Sequence, residues 1–342
     1  MTRKKDNLPA TIEPAQSVLF GTPEPIQQPP ALPELPALSL VKQRLVDAAV
    51  AIRQDQAEDI TYQHSIICQT GLPVRHQDAR VWERRQGRAL LRMEAGAAVP
   101  PGGSEWVELP LPYGPKARLV MMHLNSEAIR TRSPKIEVES TLTAFVRRVM
   151  NGPNPEDRRD PNGREIRAFK EQLAALSAAT VRLNINDEEQ SRHLNTRIVS
   201  EFDLWFSKDS RQRVLWSSTV HLSPEYFDSL LGYAVPLDER AIASLAHSAL
   251  ALDVYAWLAQ RLHRIAVERS QLVPWTALYE QFGQGYSELR FFRRKFIAAL
   301  RQVQIAYPDA RFSTDSRGME LRQSEPPISK RLIATRWPVV RV

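Results

Sequence analysis

Apolar residues recur at three- and four-residue intervals from Ser39 onward, in a spacing typical of amphipathic helices. The first such segment contains Leu40, Val41, Leu45, Val46, Ala49 and Ile52. Ser39 stands before it as a candidate cap. Between Gly71 and Gly103 the large apolar residues are sparse, and the pattern predicts only short strands there.

A regular series of elements begins after Trp106. The apolar rhythm predicts a helix over Gly114–Arg132, which Ser133-Pro134 ends because the residue before proline avoids helical geometry. A short strand over Lys135–Val138 and a helix capped by Ser140 follow. The series continues with these predicted segments: a helix over Arg164–Ala178 and β segments over Val181–Ile185, Thr196–Phe206 and Val214–Leu222.

A similar order of elements returns in the last third of the chain. The predicted segments are helices over Ser223–Leu231, Leu237–Ala246 and Ala249–Ile265, an extended piece over Gln271–Val273, a helix over Trp275–Phe282, a turn over Gly283–Gly285, a long helix over Tyr286–Ala306, and a hairpin formed by Ala310–Ser313 and Met319–Arg322. Helix, strand, helix, turn, long helix and β-hairpin is the order of a winged helix.

The predicted fold class is therefore α+β and mainly helical, with two tandem winged-helix domains, each a helix-turn-helix followed by a β-hairpin wing. Eight prolines between Pro9 and Pro36 predict that residues 1–38 form a disordered tail. Such a tail either is a passive leader or docks a partner in an extended conformation. The predicted N-terminal domain spans 39–222, the C-terminal winged helix 223–328, and a C-terminal tail 329–342.

Composition narrows the class of protein. The single cysteine, Cys68, cannot form an internal disulfide or a multi-cysteine metal site, which favours a reducing compartment. Polar residues or proline break every apolar run well before the roughly 18 residues that span a membrane. The N-terminus is basic but lacks the apolar core of a signal peptide. We expect a cytoplasmic protein without a membrane partner.

Positive charge is concentrated in the last predicted helix and hairpin. The whole chain carries 46 basic and 39 acidic residues, for a net charge of +7, and the segment Tyr286–Arg322 alone carries eight basic and four acidic residues. On a helical projection Leu289, Phe292, Phe296, Ala299, Leu300 and Val303 share one side. Ser287, Arg290, Arg294, Ala298 and Arg301 lie opposite, with Arg293 and Lys295 beside them.

A cationic face behind an apolar face is what a DNA-reading helix requires, since arginine bridges phosphates or bonds guanine edges. The alternative is an ordinary solvated face. The candidate DNA-binding residues of this region are Tyr286, Ser287, Arg290, Arg293, Arg294, Lys295, Arg301, Arg311 and Arg317.

The corresponding helix of the first series is less basic. Ile166, Phe169, Leu173 and Leu176 form its predicted apolar side. Its outward residues are predicted to be Arg164, Arg167, Glu171, Gln172 and Ala175, with Lys170 near the edge. Arg164, Arg167 and Lys170 are candidates for auxiliary DNA contacts. Pairing of this domain with a second copy of the chain is an equally favoured alternative.

Motifs for catalysis or cofactor binding do not occur in the sequence. It contains no GxxxxGK[ST], GxGxxG, HExxH, CxxC or GxSxG, so we expect no enzyme activity and no cofactor. His64, Cys68 and His76 lack a fourth metal ligand. Asp187-Glu188-Glu189 is more typical of a solvated turn than of a nuclease site.

Three segments resemble the plasmid-encoded RepA family of replication initiators. They are ELPLPYGPKARLVMMHLNSEAIRTRSPKIEV (Glu108–Val138), SALALDVYAWLAQRL (Ser248–Leu262) and QFGQGYSELRFFRRKFIAALRQVQIAYPDARF (Gln281–Phe312). The resemblance covers roughly Trp106–Ile328.

The resemblance implies an initiator that binds repeated double-stranded DNA sequences at a plasmid origin. It further implies opening of the adjacent A·T-rich duplex and recruitment of the host replicative helicase and the host initiator. In similar initiators the C-terminal winged helix is the main reader of the repeats, and the N-terminal one serves dimerisation or DNA contact. We therefore assign the reading role to Arg290, Arg293, Arg294, Lys295 and Arg301.

Two other functions stay open from the sequence. A winged-helix transcriptional regulator would use the same helix and differ only in the outcome of binding. A strand-nicking initiator or nuclease would need a nucleophilic tyrosine or metal-binding acids near a histidine pair. Tyr286 and Tyr307 have no His-x-His motif nearby.

Overall fold

The computed structural model describes residues 39–54, 57, 59–99, 104–138, 144, 146–147, 150, 160–186, 191–202 and 219–329. Several predictions fall outside these residues. They are the proline-rich tail over 1–38, most of the helix capped by Ser140, the acidic cluster Asp187-Glu188-Glu189, the strand positions 203–206 and 214–218, and nearly all of the C-terminal tail.

The first part of the chain mixes helices with small sheets. Its elements are α1 (Leu40–Gln54), β1 (Ile60–His64), α2 (Ser65–Thr70), β2 (Val81–Gln86), β3 (Ala89–Glu94), β4 (Ala97–Ala98), β5 (Val107–Glu108), α3 (Gly114–Thr131), β6 (Lys135–Glu137), α4 (Gly163–Ala178), β7 (Thr180–Asn186), β8 (Ser191–Arg197), β9 (Val199–Phe202) and β10 (Thr219–Leu222). The helices and short strands predicted for these residues are confirmed.

The second part combines helices with a three-stranded sheet and one strand that pairs with β1. Its elements are α5 (Pro224–Tyr233), β11 (Ala234–Asp238), α6 (Glu239–Leu245), α7 (Ala249–Arg261), a 3-10 turn (Leu262–Arg264), β12 (Ser270–Pro274), α8 (Trp275–Phe282), α9 (Leu289–Ala306), β13 (Phe312–Thr314) and β14 (Gly318–Arg322). The predicted order of helix, strand, helix, turn, long helix and hairpin is observed.

Small antiparallel sheets cover the helices. The largest has the order β2-β3-β7-β8, and alternate residues of β3, namely Ala89, Leu91 and Met93, are buried. Other sheets have the orders β6-β10-β9 and β12-β14-β13. Period-two burial on β3 places one face of the strand on the apolar core and leaves the other face half-buried.

Side-chain caps fix several helix starts. Asn162 and Glu165 form a capping box at α4, because each side chain accepts a hydrogen bond from the other residue's backbone N–H. Ser223 caps α5, and Ser248 caps α7. At α9 the capping residue Glu288 makes no side-chain cap. The start of α9 is therefore set by its turn and its tertiary contacts.

Elements from both sides of residue 222 share one buried apolar core. Strand β1 pairs with β11 from Ile60 opposite Asp238 to His64 opposite Ala234. Helix α1 packs on α6 and α9, and α3 packs on α7. The division of residues 39–328 into two domains stays a prediction.

A buried ion pair lies where α3 meets α7. Arg118 Nε and Nη2 donate to the two carboxylate oxygens of Asp253, at 2.6 and 2.5 Å. The remaining N–H groups of Arg118 donate to the backbone oxygens of Leu72, Pro73 and Gly114. Only 1% of the Arg118 side chain and 12% of the Asp253 side chain are exposed. All five donors of the guanidinium thus have acceptors, which is the condition under which a buried charge is tolerated.

Several predicted helix boundaries were wrong, because strand pairing or a local turn decides where the helix begins or ends. The helix predicted from Leu237 begins at Glu239, because Leu237 and Asp238 belong to β11 and pair with β1. The helix predicted to run to Ile265 ends at Arg261 and tightens into a 3-10 turn. Strand β1 and helix α2 were not predicted.

The long helix predicted over Tyr286–Ala306 begins at Leu289 instead. Gly285 has a φ of +87°, and the backbone N–H of Tyr286 donates to the oxygen of Gly283. The turn therefore extends past Tyr286 and Ser287, and Glu288 is still in an extended conformation. The left-handed conformation that glycine allows at residue 285 delays the helix by three residues.

We expect stability to fall between pH 6.5 and about pH 4 because of His64. Its ring is buried, accepts a hydrogen bond from the Ile66 N–H and lies 3.0 Å from Ser229 Oγ, and burial lowers its pKa to about 4. In the unfolded chain the imidazole takes up a proton near pH 6.5, whereas in the folded protein it stays neutral down to about pH 4. The free energy of unfolding therefore falls by about 3 kcal/mol between these two pH values.

Urea unfolding of the native protein and of His64→Gln at pH 7.0, 5.5 and 4.5 measures this effect. The variant should show a flatter dependence on pH than the native protein. His76→Gln, the same substitution at an exposed histidine, is the matched control. Equal slopes for the native protein and His64→Gln would contradict the assignment.

Candidate nucleic-acid interface

Helix α9 is held by a row of buried apolar side chains. Phe292, Phe296, Leu300 and Val303 are buried at four- and three-residue intervals, and Ala299 lies among them. Phe292 and Phe296 contact the aromatic rings of Tyr279 and Phe282 from α8. The predicted apolar face is confirmed except at Leu289, whose side chain is 39% exposed because it stands at the first turn.

The opposite side of α9 carries the predicted cations. Arg290, Arg294, Lys295 and Arg301 are exposed, and Arg293 is half-buried. The backbone thus presents four cations to solvent over three helical turns. Exposed arginines and lysines are the side chains that contact DNA phosphates and base edges.

Phe291 organises two of these arginines. The Arg290 guanidinium carbon lies 4.8 Å from the centre of the Phe291 ring, and the Arg294 carbon lies 5.5 Å from it. Cation–π contact restricts both side chains before any ligand is bound. Sequence reasoning missed Phe291, although an aromatic residue next to one arginine and three positions before another is a recognisable signal.

Arg293 connects α9 to the β13–β14 turn. Its guanidinium carbon lies 4.6 Å from the centre of a Trp275 ring, and its Nη2 donates to the Asp315 backbone oxygen at 3.0 Å. Trp275 Nε1 donates to the same oxygen at 2.9 Å. Arg293 therefore has a positioning contact in addition to its candidate DNA role.

The β13–β14 turn presents Arg317 on a rigid support. Asp315 accepts hydrogen bonds from the backbone N–H groups of Arg317 and Gly318, and these bonds lower the pKa of the Asp315 carboxyl. Gly318 is required where β14 passes β12, since a Cβ there would meet the Val273 oxygen at 2.2 Å. The hairpin is thereby fixed against β12 and beside the start of α8.

Three nearby acids partly neutralise this surface. Arg290 pairs with Glu288 at 2.7 Å, Arg317 with Asp315 at 3.0 Å, and Arg322 with Glu320 at 3.5 Å. These pairs are exposed and therefore weak, so a phosphate can replace the carboxylate. In the part of the chain that the structure describes, the following cations of this region have no carboxylate partner: Arg293, Arg294, Lys295, Arg301 and Arg311.

The remaining candidates of this region lie beside α9. Tyr286 is half-buried, its ring packs edge-on against Phe292, and its backbone oxygen accepts from the Tyr279 hydroxyl. Ser287 is exposed in the turn. Arg311 is exposed, and its backbone N–H donates to Ser324 Oγ. Tyr286 and Ser287 precede the helix, contrary to the sequence prediction.

Helix α4 carries the smaller of the two predicted sets of DNA-binding cations. Arg164, Arg167 and Lys170 are exposed, while Phe169, Leu173 and Leu176 are buried. Gln172 and Ala175 were predicted to face outward, but both are buried because α4 packs closely on α3. Gln172 Oε1 accepts a hydrogen bond from the Tyr113 backbone N–H.

The residues considered for other chemistry are dispersed. Cys68 is buried, and burial raises the pKa of its thiol, whereas His76 is exposed. Among the described residues, no three His, Cys, Asp or Glu side chains are grouped as a metal site would require.

Within the same described part of the chain, no helix has both the length and the apolar character needed to cross a membrane.

Two crystal structures of RctB are similar in shape. One, of selenomethionine derivatives of its domain 2 and domain 3, has a TM-score of 0.47 at 10% identity and covers 76% of this chain and 98% of that chain. The other, of RctB domains 2-3 (RctB-155-483), has a TM-score of 0.44 at 10% identity and covers 75% and 94%.

No curated protein matches the chain. The family model described as plasmid encoded RepA protein matches residues 111–277, which include α3, α4 and α7. Over residues 111–277, just under half of its length, the chain is thus similar to the plasmid-encoded RepA family, as its sequence motifs predict.

Proposed function

We propose that the protein initiates plasmid replication by binding repeated double-stranded DNA sequences at the plasmid origin. Binding would promote opening of the origin and bring in the host replicative helicase and the host initiator. The match of residues 111–277 to the plasmid-encoded RepA family model supports the role in plasmid replication. Helix α9 follows the matched residues, so its part in DNA binding is argued from its geometry.

One observation carries the proposal: α9 combines a buried apolar row with a solvent-exposed row of cations. Its buried side is anchored by Phe292, Phe296 and Val303, so the helix is held rigidly. The exposed Arg294, Lys295 and Arg301 have no carboxylate partner among the described residues. Such a helix can exchange counterions for phosphates, and its arginines can form paired hydrogen bonds with guanine.

The proposal interprets both parts of the chain as winged helices. In the second part α7, β12, α8, α9 and the β13–β14 hairpin would form the main reader, with Arg317 on its wing. In the first part α3, β6, α4 and the β7–β8 hairpin would form the second. Arg164, Arg167 and Lys170 would make auxiliary contacts, or this part would pair two copies of the chain.

We propose a binding protein of the cytoplasm rather than an enzyme. A strand-nicking enzyme needs an accessible tyrosine nucleophile near a histidine pair. Tyr307 is buried, its hydroxyl donates to the Glu325 backbone oxygen, and burial raises its pKa. Tyr286 is half-buried against Phe292, and burial raises its pKa as well. Both observations favour a non-enzymatic role.

A transformation assay tests the function. The gene and several hundred base pairs of its flanking DNA are placed on a circle that has no other origin. We expect colonies with the native gene and with Arg130→Ala, and none with the Arg290→Ala/Arg294→Ala double variant. Arg130 is an exposed arginine of α3 and serves as the matched control.

Failure of every gene to give colonies would refute the initiator. If the purified protein then protected a promoter in a footprint, a winged-helix regulator would take its place.

A further inference from the structure

The turn that precedes α9 is hydrogen-bonded to residues from the first part of the chain. This α8–α9 turn comprises Gly283–Glu288. The hydroxyl of Tyr279, in α8, donates to the backbone oxygen of Tyr286 in this turn at 2.6 Å. Since α9 has no side-chain cap, contacts of this turn decide where the helix starts and where it points.

A hydrogen bond joins this turn to strand β2. Trp82 is almost wholly buried, and its Nε1 donates to Gln284 Oε1 at 2.6 Å. Gln284 Nε2 in turn lies 3.4 Å from Gln77 Oε1. The amide of Gln284 is therefore held on both sides by residues about 200 positions earlier in the sequence.

The end of α8 is attached to the same region. Gln281 Nε2 donates to the Gln69 backbone oxygen at 2.7 Å, and Arg84 Nη1 donates to the Glu280 oxygen at 3.1 Å. The Arg84 guanidinium carbon also lies 5.3 Å from the centre of the Trp82 ring. Four hydrogen bonds thus join residues 280–284 to residues 69–84.

These contacts do not contribute a DNA-facing charge. Trp82 and Gln284 are neutral, and Arg84 is half-buried with its guanidinium on a backbone oxygen. What they control is the placement of α9. Recognition of base edges requires donor groups to be held within about 0.5 Å of their productive positions, so a turn freed from its support loses specific binding first. Attraction between cations and phosphates tolerates larger displacements.

We propose that the Trp82–Gln284 hydrogen bond is a positioning contact for DNA reading, through which the first part of the chain fixes α9 in its sequence-reading orientation. The proposal rests on the proposed function. Trp82 and Gln284 act through α9 and make no contact with DNA themselves. Their loss lowers the preference for the origin repeat and leaves binding to unrelated DNA intact.

The test compares Trp82→Phe, which removes the indole donor, and Gln284→Met, which removes the acceptor at similar volume. Trp106→Phe is the matched control, since Trp106 is 74% exposed. Dissociation constants are measured at fixed salt for a footprinted origin repeat and for an unrelated duplex of equal length. We expect each variant to lose about 10-fold in the ratio of the two affinities, equivalent to the loss of about one hydrogen bond. Trp106→Phe should keep the native ratio.

The double variant separates positioning from general loosening of the fold. If both residues act through one hydrogen bond, Trp82→Phe/Gln284→Met should lose no more specificity than either single variant. Losses that multiply to about 100-fold would overturn the proposal, as would a native ratio in Gln284→Met. Gln284 is only partly buried, so that variant decides the question even where Trp82→Phe unfolds.

The same measurements distinguish a wrong assignment of the function from a wrong assignment of the positioning contact. If the native protein binds the flanking DNA no better than unrelated DNA, both the reading role of α9 and this positioning contact are overturned. If the native protein discriminates and the variants do so equally, only the positioning contact is refuted.

Discussion

Replacing Arg290 and Arg294 together by alanine is expected to weaken binding of the origin repeat by about 100-fold. Both guanidinium groups are exposed on α9, and Phe291 orients both. A paired hydrogen bond from arginine to a base discriminates by about 1–3 kcal/mol, so two such contacts contribute about 2–6 kcal/mol, a range that includes the roughly 2.8 kcal/mol of a 100-fold effect. Titration of the labelled repeat at one fixed salt concentration measures it.

The two single variants should weaken DNA binding to different extents. Arg290 must leave Glu288 to bind DNA, whereas Arg294 has no carboxylate partner among the described residues. We expect the larger single loss for Arg294→Ala. Repeating the titration across salt concentrations distinguishes base contacts from phosphate contacts, because each lost phosphate contact lowers the slope by about one. Native affinity of the double variant at matched salt would remove α9 as the reader.

Replacing Asp253 by alanine is expected to lower the free energy of unfolding by about 3–5 kcal/mol. The change leaves Arg118 as a cation inside the protein, with only backbone oxygens as partners. Removing one member of a buried pair is costly because the other charge stays desolvated. Urea denaturation followed by circular dichroism measures the loss through the midpoint and the slope.

Two further variants show whether the loss comes from the unpaired charge. Arg118→Met/Asp253→Leu removes both charges and should be more stable than Asp253→Ala. Recovery should be incomplete, since the oxygens of Leu72, Pro73 and Gly114 lose their donor. Arg130→Ala removes an arginine whose side chain is 57% exposed, so solvent already screens its pair with Glu127 and the change should cost less than about 1 kcal/mol. A similar cost for Asp253→Ala and Arg130→Ala would show that the buried pair is not a stabilising contact.

Local periodicity was sufficient to predict most helices and the hairpin of the second part, although not all of their bounds. Helix α8 was predicted with the bounds that the structure shows, and the apolar face of α9 was predicted except at Leu289. Each prediction depends on residues within a few positions of one another, where the 3.6-residue repeat expresses burial directly. The cationic side of α9 could be predicted for the same reason.

Pairings between distant residues had no signal in the sequence. Arg118 and Asp253 are 135 positions apart, and Trp82 and Gln284 are 202 apart. Neither residue of either pair has a local pattern that indicates its partner. Strand β1 was missed for a similar reason, because its five residues are all buried and its partner is β11.

The sequence by itself determined the helices, the small hairpins, the accumulation of cations after residue 286 and the resemblance to the RepA family. Those features follow from neighbouring residues, whose spacing the chain carries wherever it folds. The tertiary structure alone decided which cations are paired with acids, where α9 begins, and which residues of the first part fix its turn. Those outcomes depend on burial and on contacts across the fold, which exist only after distant segments have packed together.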